Sequence, residues 1–207
     1  MSVREAVSAR GLAVRARHRR NPYRYLLDDA RLADLLLDLG LRRAESIWRN
    51  HNDPDAARGP YPRDSMGFVL LDPTAQPWET HEEAVLAAIT VGAEGHAYLA
   101  NAAAKAAGHR RLGRNYGEAV LVDPHLCGTD AFRYGHSADV RGVIAGASSQ
   151  SPDQDLVEAG LLAADFVDAI TEHHRAWEAT TGKGRWLNAT DTPGPEAAAM
   201  VAFFDGN

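Results

Sequence analysis

Residues 141–164, RGVIAGASSQSPDQDLVEAGLLAA, spell out a strand, a polar turn and a helix start in succession, and the rest of the fold has to be arranged around that corner. Val143, Ile144 and Ala145 form a short apolar run after Gly142, and Gly146 punctuates it before Ser148-Ser149-Gln150, as a buried strand entering a loop does. Ser151-Pro152-Asp153-Gln154 then fits a capping box. Ser151 stands at N-cap and Gln154 at N3, Pro152 at N1 lacks the amide that would go unpaired, and Asp153 suits the helix dipole. A helix is therefore predicted from Pro152. A turn facing a helix start offers amides and hydroxyls to an anion or carboxylate. The same pattern equally serves a well-capped helix that holds no ligand.

Elsewhere the pattern predicts helices over 2–20 and 25–50. In the second, Leu32, Leu36, Ala44 and Ile47 recur at helical spacing, with Asp28, Asp34 and Asp38 on the polar side. Phe68 to Leu71, bounded by Gly67 and Asp72-Pro73, reads as a buried strand. Thr80 and Glu83 fit a second capping box and predict a helix through Val91, a break at Gly92 or Gly95, and an alanine-rich helix from Ala97 to Arg111. Strands are expected at 119–122, 131–134 and within 139–147, and the last long helix runs from Pro152 to about Trp177. This order lacks the regular alternation of a doubly wound sheet and points to an α+β fold. The predicted organisation is a basic helical arm over 1–24, an α+β domain over 25–180 and an irregular tail over 181–207.

At 207 residues the chain can bury a core without staples, and its one cysteine, Cys127, excludes an internal disulfide. No run approaches the ~18 apolar residues of a membrane span, and no apolar leader opens the chain, so a reducing, cytoplasmic setting is expected. Residues 1–24 carry seven Arg against Glu5, a net +6, while the whole chain is −6. That arm lacks the aromatic interleaving of a nucleic-acid domain, and packing against the acidic body of its own or a neighbouring subunit is the expected role. The Arg-over-Lys and Ala bias fits a GC-rich bacterial source. No GxGxxG, Walker A, GxSxG or HExxH string occurs.

Tyr134-Gly135-His136-Ser137-Ala138, the strand Arg141 to Ser148, Asp153-Gln154-Asp155 and Ala159-Gly160 together resemble the C-terminal signature of the GlcG/HbpS haem-binding family. Tyr98 to Gly113 is similar to that family's lysine-bearing helix, here with Lys105, and Met66 to Asp72 to its first strand; the likeness spans roughly 32–168. The resemblance implies a profilin-like antiparallel sheet flanked by helices, assembly into homo-oligomers, and haem as ligand or working cofactor. Three positions depart from the pattern. His136 stands where the family keeps a second glycine, Ala138 where it keeps proline, and Ser149 where glycine follows the turn serine.

Nine histidines are the main chemical resource. His18 and His51 are expected to be solvated or capping, and His174 with Glu178 to be a surface i, i+4 pair. His125-Leu126-Cys127 carries only a weak ligand signal. His136 is better placed, in a turn accompanied by Arg133 and Tyr134, a guanidinium and a phenol suited to a carboxylate or propionate. His96 and His109 flank the alanine-rich helix and, 13 residues apart, cannot share a face.

Two readings follow. In the first, a haem-binding protein of the resembled type or a haem-dependent enzyme takes His136 as iron ligand, with Tyr134, Arg133, Lys105, His109, His96, Ser148, Ser149 and Gln150 around the ligand. In the second, a cofactor-independent acid/base isomerase, lyase or cyclase, or a small-molecule binder, uses His136 and Tyr134 as acid/base groups and the Ser148-Ser149 turn to hold an oxyanion.

Overall fold

The computed structural model describes residues 3–115, 135–181, 192 and 194–205. Six strands form one antiparallel sheet: β1 (Arg4–Val7), β2 (Ala13–His18), β3 (Met66–Leu71), β4 (Val85–Val91), β5 (Ala138–Val140) and β6 (Val143–Ser148), in spatial order β1-β2-β4-β3-β6-β5. Helices α1 (Asp29–Asn52) and α3 (Pro152–Thr181) share one core with one face of the sheet. That core joins Leu32, Leu36 and Ile47 of α1 to Phe68, Leu86 and Ile89 of the sheet and to Leu162 and Phe166 of α3. Helix α2 (Leu99–Leu112) lies on the other face, with Ala102 and Ala106 against Val69 and Leu71. The expected α+β architecture, an antiparallel sheet flanked by helices, is thus present.

The chain divides into two compact units, 1–173 and 174–207. The second contains the end of α3, where His174 stacks on Trp177 and pairs with Glu178 at 3.8 Å, as the spacing implied. It also contains a short helix, α4 (Pro195–Val201), with Met200, Val201 and Phe204 exposed, so the predicted tail is partly helical. Among the described residues no helix is long and apolar enough to cross a membrane.

The N-terminal helical arm is overturned, because residues 4–18 form a β-hairpin that pairs onto β4. The cause lies in Ala13-Val14-Arg15-Ala16-Arg17-His18, whose strict two-residue alternation puts Val14, Ala16 and His18 in the core and the arginines outside. Arg and Ala have high helix propensity, but the period decides. The arm is therefore not a separate domain. Six of its seven arginines pair within the subunit: Arg4 with Asp34, Arg10 with Glu45, Arg15 with Glu5, Arg19 with Glu82, Arg20 with Asp72 and Glu79, and Arg24 with Asp29. The exposed pairs among these add little stability, yet together they reduce the free cationic surface that assembly through charge would need.

The predicted helix from Thr80 to Val91 is likewise a strand. The capping box itself forms, with the Glu83 amide donating to Thr80 Oγ1 (3.1 Å) and the Thr80 amide to Glu83 Oε2 (2.8 Å), but only one turn follows it. Val85 to Val91 then enters the sheet between β2 and β3, where β-branched residues pack on both faces. At the corner the Ser151–Gln154 capping box forms as expected. The Ser151 amide donates to Gln154 Oε1 (3.1 Å) and the Gln154 amide to Ser151 Oγ (3.4 Å). The expected strands at 119–122 and 131–134 lie outside the described residues.

Candidate functional site

The strand β6, the start of α3, helix α2 and the loop before β3 converge on a polar cavity of about 300 Å³. Its position follows from one close approach. A Cβ on Gly146 would sit 2.0 Å from the Ala102 carbonyl oxygen, so only glycine lets α2 lie on β6 at this depth. That contact brings Lys105, one turn beyond Ala102, beneath the corner. Its side chain is 1% exposed, and Nζ donates to the Ala147 carbonyl (2.9 Å) and to Asp155 Oδ2 (2.6 Å).

Asp155, in the first turn of α3, holds the corner from inside. Its Oδ1 accepts from the backbone amides of Ser149 (3.1 Å) and Gln150 (2.9 Å). Burial pushes its carboxyl above the usual carboxylate range, against the opposing pull of the Lys105 ammonium and of those two amides. Two buried charges are costly to desolvate, and this pair is retained with hydrogen bonds satisfying most of its remaining positions.

Ser149 has φ 154°, a positive value uncommon for a residue with a side chain. Three contacts hold it there: Ser149 Oγ donates to the Ser65 carbonyl (2.5 Å), its amide to Asp155, and its carbonyl accepts from Arg63 Nη1 (2.6 Å). Gln150 Nε2 donates to Ser149 Oγ (2.7 Å) and the Arg63 carbonyl (2.9 Å), which locks the loop onto the corner. Arg63 also stands over the Tyr98 ring at 5.7 Å.

The cavity wall retains unused donors. Arg63 spends one nitrogen on Ser149, and Lys105 spends two of its three N–H groups. The side chains of Asn101 and Ser148, which also line the cavity, make no hydrogen bond among the described residues. With Arg63 and Lys105 against Asp155, the lining carries a net positive charge.

Of the residues expected from the sequence, the structure brings Lys105, Ser148, Ser149 and Gln150 together. Arg133 and Tyr134 lie outside the described residues, as do His125 and Cys127. His136 is half-buried beside Ser137 and does not line the cavity; its Nδ1 is buried without a hydrogen-bond partner among the described residues. His109 is buried on α2, with Nδ1 2.9 Å from Ser137 Oγ and Nε2 3.8 Å from Asp139. His96 is exposed and lines a separate groove with Arg15, Arg17 and Leu99. His18 is not solvated: it is 3% exposed, and among the described residues neither ring nitrogen has a hydrogen-bond partner. His51 does close its helix, with Nδ1 2.7 Å from the Tyr61 carbonyl.

The sequence did not single out Arg63, Tyr98 or Asn101. Arg63 sits in a polar, proline-bearing loop with no periodicity to mark it, and Asn101 was hidden in an alanine run. Asp155 was visible only as part of an acidic motif.

The described residues do not fit a haem at this corner. The small-residue face of α2 that a macrocycle would need is spent on the sheet, with Ala102 and Ala106 fully buried, and the cavity itself is narrow and ionic. Among the described residues no group of three His, Cys, Asp or Glu could hold a metal ion. No family model, curated protein or solved structure matches this chain.

Proposed function

We propose that the protein binds a small carboxylate- or phosphate-bearing metabolite in the corner cavity, the cofactor-independent of the two readings drawn from the sequence. The observation that carries it is the set of unspent donors from Arg63, Lys105, Asn101 and Ser148 around about 300 Å³ with a net positive lining. A guanidinium and an amide supply directional hydrogen bonds to a carboxylate, and the buried ammonium supplies charge where screening by water is weakest. A volume at the lower end of ligand pockets suits a metabolite of a few carbons.

Thermal denaturation with succinate, citrate or inorganic phosphate tests this. A ligand that binds only the folded state stabilises by about 2.7 kcal/mol at a hundredfold excess over Kd. The expected rise should vanish in Arg63→Ala and Asn101→Ala. No shift with any of the three anions would refute the proposal.

The haem reading keeps one supporting observation, the unpartnered Nδ1 of half-buried His136. Titration with haemin, followed through the Soret band in wild type and His136→Ala, tests it. A band that depends on His136 would overturn the cofactor-independent reading. Assembly into a homo-oligomer remains a proposal that rests on the resemblance, since the basic segment pairs within its own subunit, and sedimentation at micromolar concentration decides it.

A further inference from the structure

Lys105 does more than neutralise a ligand if the ligand carries a carbonyl. It is a primary amine at the wall of a cavity whose other donors suit a carboxylate, and among the described residues its one charged partner is a buried carboxyl at 2.6 Å. Ala102, about a turn before it on α2, and the adjacent Ala106 are both small residues. A lysine amine at the wall of a ligand cavity can attack a bound carbonyl once a neighbouring group takes its proton, and the Asp155 carboxyl lies at 2.6 Å. The positive φ of Ser149, on the same wall, is a local strain of the kind that collects at working sites.

We infer that Lys105 forms a reversible imine with a 2-oxo acid held by Arg63 and Asn101, with Asp155 relaying the proton. The inference rests on the carboxylate-binding reading of the same cavity. Asp155 takes one proton from the Nζ ammonium, and the freed amine pair attacks the carbonyl carbon to form the C–N bond. The carbinolamine oxygen then receives that proton from Asp155 and another from nitrogen, and leaves as water. The product is a protonated imine and Asp155 is again a carboxylate, so atoms and charge balance without an oxidant or reductant. Burial favours the protonated form of Asp155, which suits the relay.

Reductive trapping tests the inference on the full chain. With pyruvate and sodium cyanoborohydride, the protein should gain the mass of pyruvic acid less one oxygen atom. Peptide mapping should place the gain on Lys105. The chain has only one other lysine, Lys183, which reports non-specific alkylation in the same sample. Excess succinate should suppress the Lys105 adduct and leave that on Lys183 unchanged. Lys105→Arg keeps a cation for Asp155 and should abolish the adduct without losing the fold.

If pyruvate raises the melting temperature and no adduct forms on Lys105, the imine is refuted and carboxylate binding stands. Equal labelling of Lys105 and Lys183, insensitive to succinate, also refutes it. Absence of any thermal shift with pyruvate, succinate, citrate or phosphate removes the binding reading beneath it.

Discussion

Replacing Gly146 with alanine perturbs the contact on which the cavity depends. The new methyl would lie 2.0 Å from the Ala102 carbonyl oxygen, 3.0 Å from its carbon and 3.1 Å from the Ala106 nitrogen. All three are backbone atoms, so no rotamer can relieve the clash. Restoring a C···O separation of ~3.3 Å requires α2 to retreat by about 1.3 Å. Overpacking of this kind costs about 1–3 kcal/mol, against about 0.4–1 kcal/mol gained from restricting the unfolded chain. From the middle of each range, a net loss of about 1.3 kcal/mol lowers the melting temperature of a chain this size by about 3–5 °C. Because Lys105 rides on the same helix, its 2.6 Å contact with Asp155 should lengthen too. Gly160→Ala is the matched comparison. That glycine lies in α3, its added Cβ meets nothing nearer than Ala138 Cβ at 3.7 Å, and alanine there should stabilise by up to about 1 kcal/mol. Differential scanning calorimetry of the two variants checks the argument: shifts of the same sign, or a Gly146→Ala protein melting with wild type, would refute it.

Asp155→Asn keeps an acceptor for the Ser149 and Gln150 amides but leaves the Lys105 ammonium buried without a counter-charge, so urea denaturation should show a loss of about 3–5 kcal/mol. His18 gives a pH dependence: burial holds its imidazole below the ordinary 6.5, against the pull of Asp29, so it stays neutral when folded and protonates when unfolded. The stability it supports is complete above pH 6.5 and is lost as pH falls below that value. His18→Phe should flatten the decline measured between pH 7.5 and 5.5, and an unchanged decline would exclude His18 as its source.

Local signals fixed what local physics can fix. The capping box at Ser151-Gln154 and the apolar period of α1 predicted both long helices, because cap hydrogen bonds and a helical stripe depend on residues a turn apart. The period-two alternation of 13–18 was equally present in the sequence, hidden behind the helix propensity of Ala and Arg. Tertiary pairing decided the rest. Thr80 and Glu83 make the cap a helix would need, yet the strand that follows is set by β2 and β3 on either side, which are about 70 and about 20 residues away in the chain. The cavity was beyond local reach for the same reason. Lys105, Asp155 and Arg63 stand on α2, α3 and the loop before β3, and they meet only because Gly146 lets one helix settle onto the sheet. Sequence alone named Lys105 and Ser148 to Gln150 as candidates. Which of the nine histidines stand apart from them, and which carboxylate and guanidinium join them, was decided by long-range packing.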